Sequence, residues 1–175
     1  MASVTIPRPA ASEFAEYYQR YVSQVPDGNL LTELERQGRD TVTLLRGVDE
    51  KKSQFRYAEG KWTIREVVGH LIDTERVFTY RAVSFARGDQ TALPSFDEND
   101  WARNSNAGRR ALSELIAEFE AVRSATLAMF RGFSDAEFAR KGIASNNPIT
   151  VRALAYIIAG HERHHVKILH ERYGV

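Results

Sequence analysis

The residues of this sequence that could carry out chemistry are its histidines, which are His70, His161, His164, His165 and His170. His161 and His165 are four residues apart, so both rings project from one face of a helix and can reach a single ion. This spacing indicates a divalent metal held by imidazole nitrogens at about 2.0–2.1 Å. The sequence contains no cysteine, which excludes a sulfur ligand, a thiolate nucleophile and a disulfide.

Helical geometry separates histidines that face the core from those that face solvent. At about 100° per residue, five side chains fall within about 40° of one line, namely Leu154, Ile158, His161, His165 and Ile168. His161 and His165 are therefore predicted to face the core, where a metal would satisfy nitrogens that need partners. A wet cavity lined by the two rings is the alternative. His164 and His170 point elsewhere and are expected to face solvent.

A third ligand is needed to hold a metal firmly, and His70 is the remaining histidine, on another predicted helix. It lies beside the apolar stripe of that helix, on a mixed strip that could line a cavity and that also contains Thr63, Val67, Thr74 and Arg81. A lone histidine in such a place is usually a surface residue. Together with His161 and His165 it predicts three neutral imidazoles with an open coordination position, which is typical of a catalytic metal.

Two other motifs overlap the same residues. His161, Glu162 and His165 match H-E-x-x-H, in which the glutamate is the general base of a zinc peptidase. Those enzymes take a third ligand from further downstream, whereas only ten residues follow His165, and no sheet is predicted before this helix. Glu162 and His165 also form one E-x-x-H of a di-iron bundle, but the sequence has no second copy. Both interpretations are disfavoured.

Helical signals dominate the chain, and no alternating run with a hairpin dipeptide argues for a sheet. Capping boxes stand at Thr63 with Glu66 and at Ser134 with Glu137, while Gly142–Pro148 is expected to be a loop. Helices are predicted over Ser12–Ser23, Leu30–Leu45, Thr63–Arg87, Arg109–Phe130 and Val151–Tyr173. The expected fold is all-α, a four-helix bundle with an extra short helix in a single domain over residues 1–175.

The segment Gly88–Gly108, between the third and fourth predicted helices, is expected to be a long loop that packs against the bundle, because it holds Phe96 and Trp101. Asp97 and Trp101 could close one side of a pocket, with loop anchoring as the alternative. Thr74 shares the strip of His70. Thr74, Asp97 and Trp101 are therefore the candidate substrate-binding residues, and no catalytic side chain is predicted.

Composition and charge limit the possible partners. The chain is 43% apolar and 27% charged, which is typical of a folded protein, and its net charge of +1 gives no general reason to bind nucleic acid or acidic lipid. Met1–Phe14 lacks the apolar core of a signal peptide, and the longest apolar stretch, Ala153–Gly160, is too short to span a bilayer. We expect a cytoplasmic protein that acts on a small molecule, without a nucleic-acid or membrane partner.

One segment carries a family resemblance, and it reads Trp62-Thr-Ile-Arg-Glu-Val-Val-Gly-His70-Leu-Ile-Asp73-Thr-Glu75. Together with Thr150–Leu154 and Gly160–His165 it resembles the DinB/YfiT-like family of metalloenzymes. The most specific element is a W-[ST]-x-x-E-x-x-x-H-L segment combined with an H-x-x-x-H pair in the last helix. The resemblance covers about Leu30–Tyr173. Carried over residue by residue, the family's metal ligands match His70, His161 and His165.

The resemblance implies a four-helix bundle that binds a divalent metal, often as a homodimer. It also implies transfer or isomerisation with a low-molecular-weight thiol. The leading hypothesis is a metal-dependent transferase that activates a thiol cofactor, because the chain has no cysteine of its own. The alternatives are a hydrolase that uses metal-bound hydroxide and a non-catalytic metal-binding stress-response bundle. Zn, Ni or Fe is the expected metal, since imidazole suits all three.

Overall fold

Residues 5–175 are described by a computed structural model in which helices make up most of the chain. Residues 1–4 lie outside the described residues. They are the first part of the domain predicted over 1–175 and of the segment Met1–Phe14 considered above as a signal peptide. The helices are α1 (Gln19–Val22), α2 (Leu30–Arg46), α3 (Ile64–Ala86), α4 (Glu98–Asn104), α5 (Leu112–Arg131), α6 (Asp135–Ala139) and α7 (Val151–Ile168). The four long helices, α2, α3, α5 and α7, form a bundle, which confirms the predicted fold class.

The long helices begin where capping residues stand in the sequence. The Thr63 backbone N–H donates to the Glu66 carboxylate at 2.7 Å, and Thr63 Oγ1 accepts from the Glu66 N–H at 3.2 Å. Thr150 Oγ1 accepts from the Ala153 N–H at 3.2 Å at the start of α7. These bonds satisfy N–H groups that have no partner inside the helix. The helices that carry the histidines therefore start at the predicted positions.

The helix predicted over Ser12–Ser23 is wrong. The structure has two 3₁₀ turns, Ala11–Glu13 and Glu16–Tyr18, before the short α1. Between them Phe14 is extended and buried, and the Glu13 carboxylate accepts bonds from Thr150 and Arg152. These contacts attach the segment to the start of α7, and local helical propensity is overridden by tertiary packing.

The loop predicted over Gly142–Pro148 is also wrong. Strands β1 (Lys141–Ala144) and β2 (Asn147–Thr150) form an antiparallel hairpin in which Lys141 pairs with Thr150. The two turn residues, Ser145 and Asn146, have φ angles of 51° and 63°. Turns with such positive φ angles usually contain glycine. Neither of these two residues is glycine, so the sequence lacks the dipeptide that signals a hairpin.

The connection Gly88–Gly108 contains α4 and a 3₁₀ turn over Ala107–Arg109, so it is not a loop throughout. Leu93 and Ala107 are buried, as the expectation of packing requires, whereas Trp101 is 44% exposed. The backbone of Leu93 donates to the Ile143 carbonyl and accepts from the Ser145 N–H. The connection is therefore fastened to the hairpin.

Helix α3 lies between α5 and α7 and contacts both. Helix α7 ends in a π-helical turn over Leu169–Tyr173 instead of running as a regular helix to Tyr173. The packing brings the middle of α3, which carries His70, against the second half of α7, which carries His161 and His165. Within residues 5–175, no helix has both the length and the apolar composition needed to cross a bilayer.

Candidate metal centre

Three histidines from two helices meet inside the bundle. Nε2 of His161 lies 3.0 Å from Nε2 of His70 and 3.1 Å from Nε2 of His165. Potential ligand nitrogens of the three residues all lie within 4.8 Å of one another. His70 and His161 are buried, and His165 is partly buried. This donor set fits a divalent transition metal, because convergent imidazole nitrogens are its preferred protein ligands.

The environment keeps these rings uncharged. Burial, with a smaller contribution from nearby His164, lowers the pKa of His70 to about 4. Burial and the neighbouring histidines lower the pKa of His161 and of His165 well below the ordinary value. At neutral pH all three rings are therefore neutral, which is the form that binds a metal.

Thr74 and Trp62 support the rings from outside the cluster. Thr74 is buried, and its Oγ1 lies 3.3 Å from Nδ1 of His70. A hydroxyl that accepts from Nδ1–H leaves the Nε2 lone pair free for a metal. The Trp62 ring lies 4.7 Å from the His70 ring and 6.4 Å from the His165 ring, measured between centroids. Thr74, predicted to contact substrate, thus lies directly against a candidate ligand.

Tyr21 closes another side of the cluster, with its ring 5.3 Å from that of His161. Its backbone approaches α7 so closely that a Cβ on Gly160 would stand 2.0 Å from the Tyr21 carbonyl oxygen. Only glycine permits this approach. Tyr21 could not be identified from the sequence, because the pattern around it predicts one continuous helix.

The two remaining histidines stay outside the cluster of nitrogens. His170 is exposed, as predicted. His164 is half-buried, since its ring packs 5.4 Å from that of Tyr21 and 5.2 Å from that of His165. Neither ring joins the cluster, as the helical geometry predicts, but the expectation that His164 faces solvent is met only in part.

A cavity of about 210 Å³ opens beside His161 and Thr74. Its walls also include Tyr17, Tyr18, Tyr21, Phe78, Arg81, Phe96, Glu98 and Ser145. We call it the inner cavity. Burial raises the pKa of Tyr18 and of Tyr21, so both hydroxyls stay protonated and can donate hydrogen bonds. Apart from His161 and Thr74, none of the wall residues was among the candidate site residues from the sequence.

An outer cavity of about 420 Å³ shares Arg81 and Phe96 with the inner cavity. Trp101 lines this outer cavity, and its ring lies 4.7 Å from that of Phe96. Asp97 caps α4 instead, where its carboxylate accepts the N–H groups of Asn99 and Asp100. Trp101 thus lines a cavity. Asp97 instead anchors the connection at the start of α4, which was the alternative to closing a pocket.

A buried charge network joins the helices that carry the histidines. Both guanidinium edges of Arg123 are used, since two nitrogens donate to Glu75 at 2.9 and 2.8 Å and a third donates to Glu162 at 2.8 Å. The second Glu162 oxygen accepts from Thr41 at 2.7 Å, and Gln37 also donates to this carboxylate. Glu162 is therefore engaged toward α2 and α5, which argues against a general base acting at the histidines. No sequence pattern signals this network, because its members come from four helices.

Sequence comparisons agree with the geometry. A family model described as the DinB superfamily matches residues 33–169. A Geobacillus kaustophilus protein named "putative metal-dependent hydrolase" is 26% identical over 130 residues, which are 72% of each chain. A Geobacillus thermodenitrificans protein of the same name is 24% identical over 123 residues, which are 68% of each chain. These relatives and the three-histidine cluster fit a metal-dependent enzyme.

Two solved structures share the fold. YfiT from Bacillus subtilis, described as a probable metal-dependent hydrolase with an unusual four-helix bundle topology, superposes with a TM-score of 0.70 at 21% identity. The match covers 96% of this chain and 94% of YfiT. A mycothiol-dependent maleylpyruvate isomerase superposes with a TM-score of 0.67 at 13% identity, over 83% of this chain and 61% of the isomerase. Both likenesses establish the arrangement of the bundle.

Proposed function

Since the chain belongs to the DinB superfamily, we propose that His70, His161 and His165 hold a divalent metal ion and that this centre catalyses a transfer reaction with a low-molecular-weight thiol as nucleophile. The convergence of the three ring nitrogens beside the inner cavity is the observation that supports it. A divalent metal bound there lowers the pKa of a thiol or of water and so supplies a nucleophile at neutral pH. Zn, Ni or Fe suits the ligands.

The protein's own groups position the reactants. Thr74 orients His70, and Trp62 packs on the rings and keeps water from that side. The protonated hydroxyls of Tyr18 and Tyr21 donate toward negative charge that develops on the substrate. Glu98 contributes a carboxylate to the wall of the inner cavity.

The thiol must come from outside the chain, because the sequence contains no cysteine. The fold shared with a mycothiol-dependent isomerase supports a thiol cofactor over an internal nucleophile. The outer cavity offers room for the body of such a cofactor. The proposal includes a small-molecule substrate, a homodimer and a cytoplasmic location, without a nucleic-acid or membrane partner.

Hydrolysis is the second candidate, and the names of the relatives favour it. The two Geobacillus proteins and YfiT, which aligns over nearly its whole length, are described as metal-dependent hydrolases. The same residues serve this reaction with water as the nucleophile. The two candidates therefore differ in the nucleophile and not in the site.

Turnover with and without a thiol separates these candidates. The metal-loaded protein is tested in two separate assays. One contains 4-nitrophenyl acetate without thiol, and the other contains 1-chloro-2,4-dinitrobenzene together with cysteine. Conjugation that requires both protein and thiol supports transfer, whereas ester cleavage without thiol supports hydrolysis. His161→Ala should abolish either activity, and His164→Ala should retain it. Stoichiometric metal with neither activity would overturn both candidates and favour a non-catalytic bundle.

A further inference from the structure

Arg81 is a buried cation that has no acidic partner in the part of the chain that the structure describes. The residue is 2% exposed, and within residues 5–175 no carboxylate oxygen lies within 4.0 Å of its guanidinium nitrogens. It donates to the Pro94 carbonyl at 2.6 Å and to Ser145 Oγ at 3.2 Å, and it also contacts the Tyr18 hydroxyl. All of these partners are neutral at pH 7. The positive charge of Arg81 therefore has no ion-pair partner among residues 5–175.

The other buried arginines show that this arrangement is unusual within the molecule. Arg123 binds both Glu75 and Glu162, and Arg65 binds Glu50. An arginine stays protonated in proteins, and a buried charge without a counter-charge is costly. An anionic ligand can supply this counter-charge, because the Arg81 side chain lines a cavity.

The position of Arg81 would place such a ligand close to the histidines. Arg81 lines the inner cavity together with His161 and Thr74, and it lines the outer cavity as well. Phe78 and Phe96 provide apolar walls close to it. A ligand held at Arg81 would thus occupy the space next to the candidate metal ligands.

We infer that the inner cavity takes a small organic carboxylate, whose oxygens pair with Arg81 and whose apolar body lies against Phe78 and Phe96. The planar guanidinium matches a carboxylate in two parallel hydrogen bonds. This inference rests on the proposed function in taking the inner cavity as the substrate site, and it names the substrate class.

The charge of the wall favours a carboxylate over a phosphate. Among the described residues, Arg81 is the only cationic residue that lines the inner cavity, and Glu98 adds a negative charge. In the metal-free protein, a phosphate dianion would meet one positive and one negative charge at this wall, whereas a single carboxylate can pair with the one guanidinium. Glu98 also directs the carboxylate to the Arg81 end, because like charges repel.

Binding to metal-free protein tests this inference, because a carboxylate then has no metal to bind. The probes are 3-phenylpropanoate and its uncharged amide, 3-phenylpropanamide, compared by isothermal titration calorimetry after dialysis against a chelator. The carboxylate should bind on the order of tenfold more tightly than the amide. Glu98→Gln should strengthen binding of the carboxylate. Equal affinity of the two probes, or no binding of either at millimolar concentration, would overturn the inference.

Substitutions of two arginines test whether Arg81 is the residue that makes the protein prefer the carboxylate probe. Arg81→Met should abolish the difference between the probes. Arg76→Met should keep it, because Arg76 is exposed on the same helix, lines only the outer cavity and already pairs with Glu118 at 2.7 Å. A retained preference in folded Arg81→Met would contradict the inference. If that variant does not fold, the comparison of the two probes on the unmodified protein still decides.

Metal content distinguishes this inference from the proposed function. A protein that binds stoichiometric metal but shows no carboxylate preference overturns the inference alone. A protein that prefers the carboxylate but binds no metal overturns the metal centre alone.

Discussion

His70 and His161 are 91 residues apart in the sequence, yet their Nε2 atoms lie 3.0 Å apart. The contact exists because α3 packs along α7, and both rings are buried where the helices meet. His165 reaches His161 from the next turn of α7 at 3.1 Å. A single metal ion could therefore be contacted by nitrogens of all three rings.

Replacement of His70, His161 or His165 by Ala should sharply reduce bound metal. Loss of one of three ligands should weaken binding by more than the roughly 10–100-fold that is typical for loss of a supporting residue. Metal content after dialysis, measured by plasma mass spectrometry, checks this. His164→Ala and His170→Ala are matched controls and should stay near the unmodified protein. Loss of metal in His164→Ala with retention in His165→Ala would contradict the assignment.

Removal of the metal should leave the helices largely intact. The bundle has its own apolar core, which includes Phe85, Phe119, Phe130 and Leu154 at no more than 1% exposure, and such a core does not depend on three ligand bonds. Circular dichroism before and after dialysis against a chelator measures the helical content. Collapse of the helical signal on chelation would instead indicate a structural metal.

Arg123→Met should destabilise the protein by about 3–5 kcal/mol, because Glu75 and Glu162 would remain as buried carboxylates without a counter-charge. Urea unfolding followed by circular dichroism measures the change. Arg46→Met is the control, since Arg46 pairs with Glu120 on the exposed surface and such pairs contribute about 0–1 kcal/mol. Equal effects of the two substitutions would show that the buried network does not stabilise the bundle.

The bundle could be predicted where local signals agree with tertiary structure. The Thr63 and Glu66 capping box stands directly before an apolar helical period, and α3 begins there. The N-terminal turns and the hairpin could not be predicted in the same way. Glu13 is held by the distant Arg152, and the turn at Ser145 and Asn146 lacks glycine. Contacts between distant segments decide both, and periodicity does not report them.

The candidate site, like the fold, could be predicted only in part from the sequence. The neighbouring positions of His161 and His165 follow from a spacing of four residues on one helix. The inner cavity depends instead on Tyr21, Arg81 and Glu98, which come from three elements. Their meeting requires α4 within a connection that was predicted to be a loop. Helical spacing therefore indicates ligands, whereas the walls of a cavity become visible only with the tertiary fold.

The metal-free protein should lose stability as the pH falls from about 7 to about 4. Histidine in an unfolded chain has a pKa of about 6.5, while burial lowers the pKa of His70 to about 4 in the folded protein. The unfolded chain therefore binds more protons between these values, and protonation favours unfolding. For His70 alone the difference corresponds to on the order of 3 kcal/mol. Burial of His161 and His165 acts in the same direction.

Urea unfolding of metal-free protein at about pH 7.5 and at about pH 4.5 measures this loss. His70→Gln should reduce the pH dependence, because a side chain that does not titrate takes no part in the proton linkage. His170→Gln is the matched control and should leave the dependence unchanged, since His170 is exposed. The lowered pKa values also mean that protons compete with the metal only below the usual range of histidine, so metal should remain bound at about pH 6. Full loss of metal at about pH 6 from a folded protein would contradict the burial of the ligands.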